Sequence, residues 1–115
     1  PYRLDYIPYT IGKRETRRLL GDYILTQNDC VAGRHFPDGI GHYGWPLDLH
    51  APMGIMDENG RYYSDTRIPK GHIPYRCLYS RNVGNLLMAG RNVSVTHVAL
   101  GTVRVESAPF KYFNS

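Results

Sequence analysis

The 115-residue chain is defined first by what it lacks. It has no apolar run approaching the roughly 20 residues needed to cross a bilayer, which argues against a membrane partner. No signal-like leader opens the residues given, so the compartment stays open. Cysteine is sparse. Cys30 and Cys77 lie far apart and form neither a CxxC motif nor part of a metal-ligand set, so two independent buried thiols are expected rather than a disulfide. No metal is expected. Internal repeats and low-complexity tracts are absent. There is one tryptophan and there are three phenylalanines, against ten tyrosines. The scatter of those tyrosines favours packing with the hydroxyl at the rim over a sugar-binding surface. The charge is mild, 14 basic against 10 acidic residues for a net +4, and suits a pyrophosphate as well as nucleic acid. Arg14, Arg17 and Arg18 are basic, but no aromatic stacking motif accompanies them. A solvated sheet face is therefore expected there, and no nucleic-acid partner.

What is present fits one globular domain or part of one. Apolar content of 42% and charged content of 21% argue against wholesale disorder. Pro1 to Lys13 holds two prolines and alternates aromatic with polar residues, which reads as an extended lead-in or edge strand. Glu15 to Leu25 reads as a strand or hairpin arm bent at Gly21. Thr26-Gln27-Asn28-Asp29 has the spacing of a capping box, predicting a short helix through about Arg34.

Gly39-Ile40-Gly41-His42-Tyr43-Gly44 satisfies the G-x-G-x-x-G pattern of a dinucleotide-binding turn. The mechanism of that turn needs a strand before it and a helix after it, whose N-terminus receives the pyrophosphate. Phe36-Pro37-Asp38 precedes the glycines, and Trp45-Pro46 is followed by Leu47-Asp48-Leu49-His50, which alternates like a strand. A glycine-rich loop leading into a strand is expected instead. Asn59-Gly60 then signals a hairpin turn. Short strands are expected at Tyr75 to Tyr79, Leu86 to Ala89 and Val93 to Val95, while Val98 to Val105 could continue as strand or begin a helix.

The stretch from Ile73 to Glu106 organises the rest. Asn85-Leu86-Leu87-Met88-Ala89-Gly90-Arg91 is an apolar run that stops at Ala-Gly, as a buried strand does, and a polar, small-residue segment follows it. Ligands of open α/β sheets sit at such strand ends, although an ordinary polar turn after a buried strand would look the same. IPYRCLY, NLLMAGRNVSVTH and ALGTVRV resemble the distal flavin-domain signature of a family of FAD-dependent oxidoreductases. Arg14-Glu15-Thr16-Arg17-Arg18 with Gly21-Asp22-Tyr23, and Trp45-Pro46-Leu47-Asp48-Leu49-His50, match the same pattern in the same order. The resemblance covers about residues 12 to 106.

The resemblance implies FAD as cofactor and a small-molecule or carbohydrate-like substrate. Some members carry xanthan-lyase-type names, yet these residues show nothing specific to polysaccharide elimination. It implies an α+β fold with a mixed or antiparallel sheet and few short helices, a C-terminal piece of a two-domain, glutathione-reductase-like FAD-binding fold. Residues 1–72 would form a strand-rich, substrate-domain-like portion, 73–106 the distal FAD-domain segment and 107–115 an atypical tail. Carried over by match, Ala89, Gly90 and Arg91 are the strand-end cofactor contacts, Gly101 and Thr102 bring backbone near the flavin ring, and Arg104 supports that loop.

Three further side chains invite a chemical role. His97 could hydrogen-bond flavin or shuttle a proton, or be a structural histidine bonded to backbone. Asp48 and His50 alternate on one strand face and project together, as an acid–base pair or a surface ion pair. Arg91 and Arg104 are the cations best placed for phosphate or flavin charge, because arginine binds such groups bidentately. No true βαβ fingerprint lies in these residues, and Glu106 to Ser115 replaces the small-residue helix that follows VRV in the family. The isolated chain is therefore expected to bind FAD weakly or not at all and to turn nothing over. The alternative is a non-enzymatic remnant that binds a partner or forms a homo-oligomer through exposed strand edges.

Overall fold

The structure, a computed structural model, describes residues 2–7, 9–10, 17–51, 56 and 63–104. Among these, helix α1 (Gln27–Val31) is followed by strands β1 (Gly39–Tyr43), β2 (Leu47–His50), β3 (Tyr63–Thr66) and β4 (Gly71–Pro74), then helix α2 (His97–Val103). β1 pairs with β4 and β2 with β3, giving two separate two-stranded antiparallel sheets. This is a small α+β arrangement. The Asn59-Gly60 turn expected in the β2–β3 connection, together with Pro1, Arg14 to Thr16 and Val105 to Ser115, lies outside the described residues.

α1 begins where the capping box places it. The Thr26 hydroxyl accepts from the Asp29 backbone N–H at 3.4 Å, and the Thr26 N–H donates to the Asp29 carboxylate at 2.9 Å. The helix ends at Val31, three residues before the expected Arg34, because Gly33 turns left-handed at φ 59°. The Arg34 N–H then closes back onto the Asp29 carbonyl at 3.0 Å. Asp29 is the hub of this corner. Only 6% exposed, it also accepts from the Thr26 hydroxyl at 2.8 Å, the Tyr23 phenol at 3.0 Å and the Arg34 guanidinium at 2.9 Å. Burial pushes its carboxyl up, but these bonds outweigh that and hold the pKa below the ordinary value of 3.8. Tyr43 on β1 donates to the Asp29 carbonyl at 2.8 Å, tying the helix to the first sheet.

Several expected elements take other forms. Gly39 and Gly41 lie in strand β1 itself, not in a loop, with Gly44 just past its end, and Gly71 on β4 leaves the space in which the Tyr43 ring lies. The strand expected at Tyr75 to Tyr79 falls earlier, at Gly71–Pro74. Tyr75–Cys77 is a 3-10 turn, fixed by the bidentate Arg76–Asp38 pair at 2.9 and 3.0 Å. Leu86 to Ala89 makes a single bridge, Tyr79 with Leu87, and is not a buried strand: Leu87 is 68% exposed while Met88 is 4% exposed. Val93 to Val95 likewise makes only the parallel Val95–Leu25 bridge.

Among residues 17–25 there is no strand. That segment lies between two others, donating from Leu19 to the Asn92 carbonyl at 2.9 Å and from Tyr23 to the Arg76 carbonyl at 3.3 Å. Its bonds alternate between neighbours, so no regular ladder forms. Residues 2–7 and 9–10 form no strand either, and Tyr2, Leu4, Tyr6, Ile7 and Tyr9 are exposed.

The core draws on α1, β1, β2, β4, α2 and the segments beside them: Leu25, Phe36, Tyr43, Leu47, Ile73, Val93, Val95, Ala99, Leu100 and Val103 are buried with both cysteines. Burying one such leucine contributes about 2 kcal/mol. Cys30 and Cys77 are free thiols, as expected, and burial pushes them up to about 12 and about 11. Among the described residues no helix is long and apolar enough to cross a membrane.

Candidate functional site

The residues after Val95 settle into helix, not strand. Thr96 caps α2, its hydroxyl accepting from the Ala99 N–H at 3.4 Å. Ala99, Leu100, Thr102 and Val103 turn inward, and Gly101 meets β2. A side chain at Gly101 would place its first carbon 2.9 Å from the Asp48 carbonyl oxygen, so glycine here is what allows helix and strand to touch.

That contact opens onto a cavity of about 370 Å³ lined by Asp48, Leu49, His50, His97, Leu100, Gly101 and Arg104. The structure therefore brings together all three of the side chains singled out for chemistry. Asp48 is engaged from two sides. Arg104, at the end of α2, forms an ion pair with one carboxylate oxygen, and the His50 imidazole stands 3.8 Å from the other. The sequence suggested an acid–base pair or a surface ion pair of Asp48 with His50; the two do stand together, and Arg104 is the closer partner of Asp48. His50 is exposed, and His97 sits exposed at the first turn of α2 with no backbone bond holding its ring among the described residues. Asp48, His50 and His97 form no metal-binding group, nor does any other set of side chains among the described residues.

A second cavity, of about 320 Å³, lies on the other side of Arg104. Its described lining is apolar apart from that arginine: Ile40, Gly41, Ile73, Leu78, Met88, Ala89, Gly90, Val93 and Val103. Gly90 adopts φ 63°, and among the described residues nothing but its chain neighbours lies within 4 Å of where a side chain would begin. Its backbone is thus open to an approaching molecule, a posture that L side chains adopt only with strain. Arg104 is common to both linings, and its Nε is buried with no hydrogen-bond partner among the described residues. Such an orphaned donor costs free energy until something accepts from it.

A family model described as FAD dependent oxidoreductase matches residues 2–112. The chain belongs to that family. Family membership carries a flavin-dependent redox function in general terms, with FAD as the cofactor of intact members. No curated protein matches, and no solved structure does.

Within this FAD dependent oxidoreductase chain, the residues expected to meet the cofactor separate. Ala89, Gly90 and Arg104 line the apolar cavity, and Gly101 and Arg104 the polar one. Arg91 is exposed in the 3-10 turn Gly90–Asn92 and lines neither cavity among the described residues. Thr102 is fully buried, its hydroxyl without a partner among the described residues. The apolar walls on β1 and β4 went unnoticed in the sequence. Their signal was the short alternation of Ile40 and Gly41 opposite Ile73, which becomes meaningful only when the two strands pair.

Proposed function

We propose that the apolar cavity beside Gly90 receives part of the flavin and that the polar cavity across Arg104 receives the substrate. The observation that carries this reading is Gly90, left-handed and open, on the rim of an apolar slot whose shared wall holds the orphaned Arg104 Nε. A volume of about 320 Å³ lies at the lower end of small-molecule sites and suits one portion of a dinucleotide. Bound there, FAD would supply the electron-accepting centre. Ala89 and Gly90 admit it by leaving space, the apolar walls exclude water, and Arg104 offers its free N–H. Asp48 holds Arg104 in place, and His50 and His97 stand where a proton of a small, hydroxyl-bearing substrate could be taken up. Arg91, Gly101 and Thr102 are kept as further cofactor-side residues of the intact site.

We assign residues 1–72 to the substrate-domain-like portion, 73–106 to the distal FAD segment and 107–115 to an atypical tail, within a two-domain, glutathione-reductase-like plan. The only G-x-G-x-x-G run is strand β1, so the adenine half has no fingerprint turn among these 115 residues. The chain by itself binds FAD weakly and turns nothing over. A flavin-fluorescence titration tests the cavity assignment. Wild-type chain quenches weakly and saturably, Ala89→Trp abolishes quenching by filling the mouth, and the exposed Arg67→Gln keeps it. Ala89→Trp titrating like wild type would sink the assignment.

A second reading is favoured by the exposed arm. Tyr2, Leu4, Tyr6, Ile7 and Tyr9, each at least 67% exposed, accompany two two-stranded sheets. Self-association through strand edges would cover them. Light scattering across a concentration series would show a dimer in that case and a monomer otherwise.

A further inference from the structure

Asn92 draws together two arginine-bearing segments that lie 75 positions apart. Its side-chain amide donates to the Arg17 carbonyl at 3.1 Å, and its own carbonyl accepts from the Leu19 N–H at 2.9 Å. The backbone of Arg17 to Leu19 is thereby held against Asn92, whose immediate neighbour in the chain is Arg91, and Gly90 before it lines the apolar cavity. Among the described residues none of these three arginines is paired with a carboxylate. Arg81, on the adjoining hairpin, is by contrast engaged by Asp22. Arg17 and Arg91 are exposed, whereas one terminal nitrogen of Arg18 is buried without a hydrogen-bond partner among the described residues.

We propose that Arg17, Arg18 and Arg91 form an anion site for the phosphate or pyrophosphate group of the ligand whose ring occupies the apolar cavity. A buried guanidinium N–H left unsatisfied is costly, and a phosphate oxygen satisfies it with a charge-assisted bond. The planar guanidinium fork matches phosphate bidentately, and several forks at one seam converge on a polyanion better than one lysine could. The clasp at Asn92 fixes the spacing in advance, which reduces the ordering cost of binding. Arg17 and Arg18 then belong to the ligand site, not to a solvated sheet face. The proposal rests on the flavin reading of the cavity, and its test separates the two.

The experiment is calorimetric titration of the full chain with riboflavin, FMN and inorganic pyrophosphate, repeated on Arg17→Gln/Arg91→Gln, on Arg18→Lys and on the control Arg67→Gln. FMN and riboflavin share the ring and differ by one phosphate. FMN is expected to bind about tenfold tighter than riboflavin at low salt. In Arg17→Gln/Arg91→Gln that advantage falls to about threefold or less, with riboflavin affinity unchanged. Arg18→Lys reduces it partially and Arg67→Gln not at all, and pyrophosphate competes with FMN but not with riboflavin. Equal binding of FMN and riboflavin, or an advantage that survives the double substitution, overturns the proposal. If pyrophosphate binds and is lost in the double variant while riboflavin never binds, the anion site stands and the flavin reading falls. Binding by no probe overturns both.

Discussion

The two sides of Arg104 use glycine for opposite reasons. On the polar side, Gly101 is small because a neighbour presses on it: the Asp48 backbone leaves no room for a side chain. On the apolar side, Gly90 is small although nothing presses on it. Its backbone is left-handed, and no described residue beyond its chain neighbours comes within 4 Å of where a side chain would begin. The first glycine serves packing of α2 on β2. The second leaves a surface open on the cavity that also holds the Arg104 Nε, unpartnered among the described residues, where the proposed reading puts the ligand.

That contrast can be broken by substitution. Gly101→Val should lower stability by about 3 kcal/mol, because overpacking against backbone cannot relax as side chains do. Thermal or denaturant unfolding measures it, and a neutral outcome would mean that α2 does not rest on β2. Asp29→Asn comes next, at about 2 kcal/mol, through weakening of the charge-assisted bonds that its carboxylate accepts from Thr26, Tyr23 and Arg34 at the start of α1. Its pH dependence follows from a folded pKa held below 3.8. The Asp29 contribution is complete above that value and is lost as pH falls through the lowered one, so acid unfolding below about pH 4 should be flatter in Asp29→Asn than in wild type.

Gly90→Ala should cost only about 1 kcal/mol, from the left-handed backbone alone, and yet weaken ligand binding more than Gly101→Val does per unit of stability lost. Arg91→Gln should change stability by less than about 0.5 kcal/mol, as an exposed, unpaired residue does, so that any loss of anion binding is read cleanly. The two thiols, raised to about 12 and about 11, should resist a thiol reagent in the folded chain and react together on unfolding.

How much of this was legible in sequence depended on how local the cause was. The capping box at Thr26 and Asp29, the alternation of Leu47 to His50 and the isolated cysteines each rest on neighbours in the chain, and each appears as expected. In the Leu86 to Ala89 run apolar content does not mean burial, because Leu86 and Leu87 face outward and only Met88 turns in. The 39–44 glycines suggested a loop because the sequence does not show the rings of Tyr43 and His72 that occupy the space at Gly71 and Gly39. Asp48 and His50 could be named as a pair on one strand face and His97 by itself, but the convergence of His97 with that pair depends on Gly101 seating α2 on β2. Arg104 could be named as a cofactor cation. Its pairing with Asp48, 56 positions away, could not, because a long-range ion pair leaves no local signature.

The most direct test is to map a bound flavin onto the chain by following backbone amide resonances during a riboflavin titration. Saturable shifts concentrated at Gly41, Gly90 and Val103, with Asp48 and His50 little changed, are the predicted result. Shifts confined to the Asp48–His50–His97 side, or absent while the protein remains folded, would contradict the account.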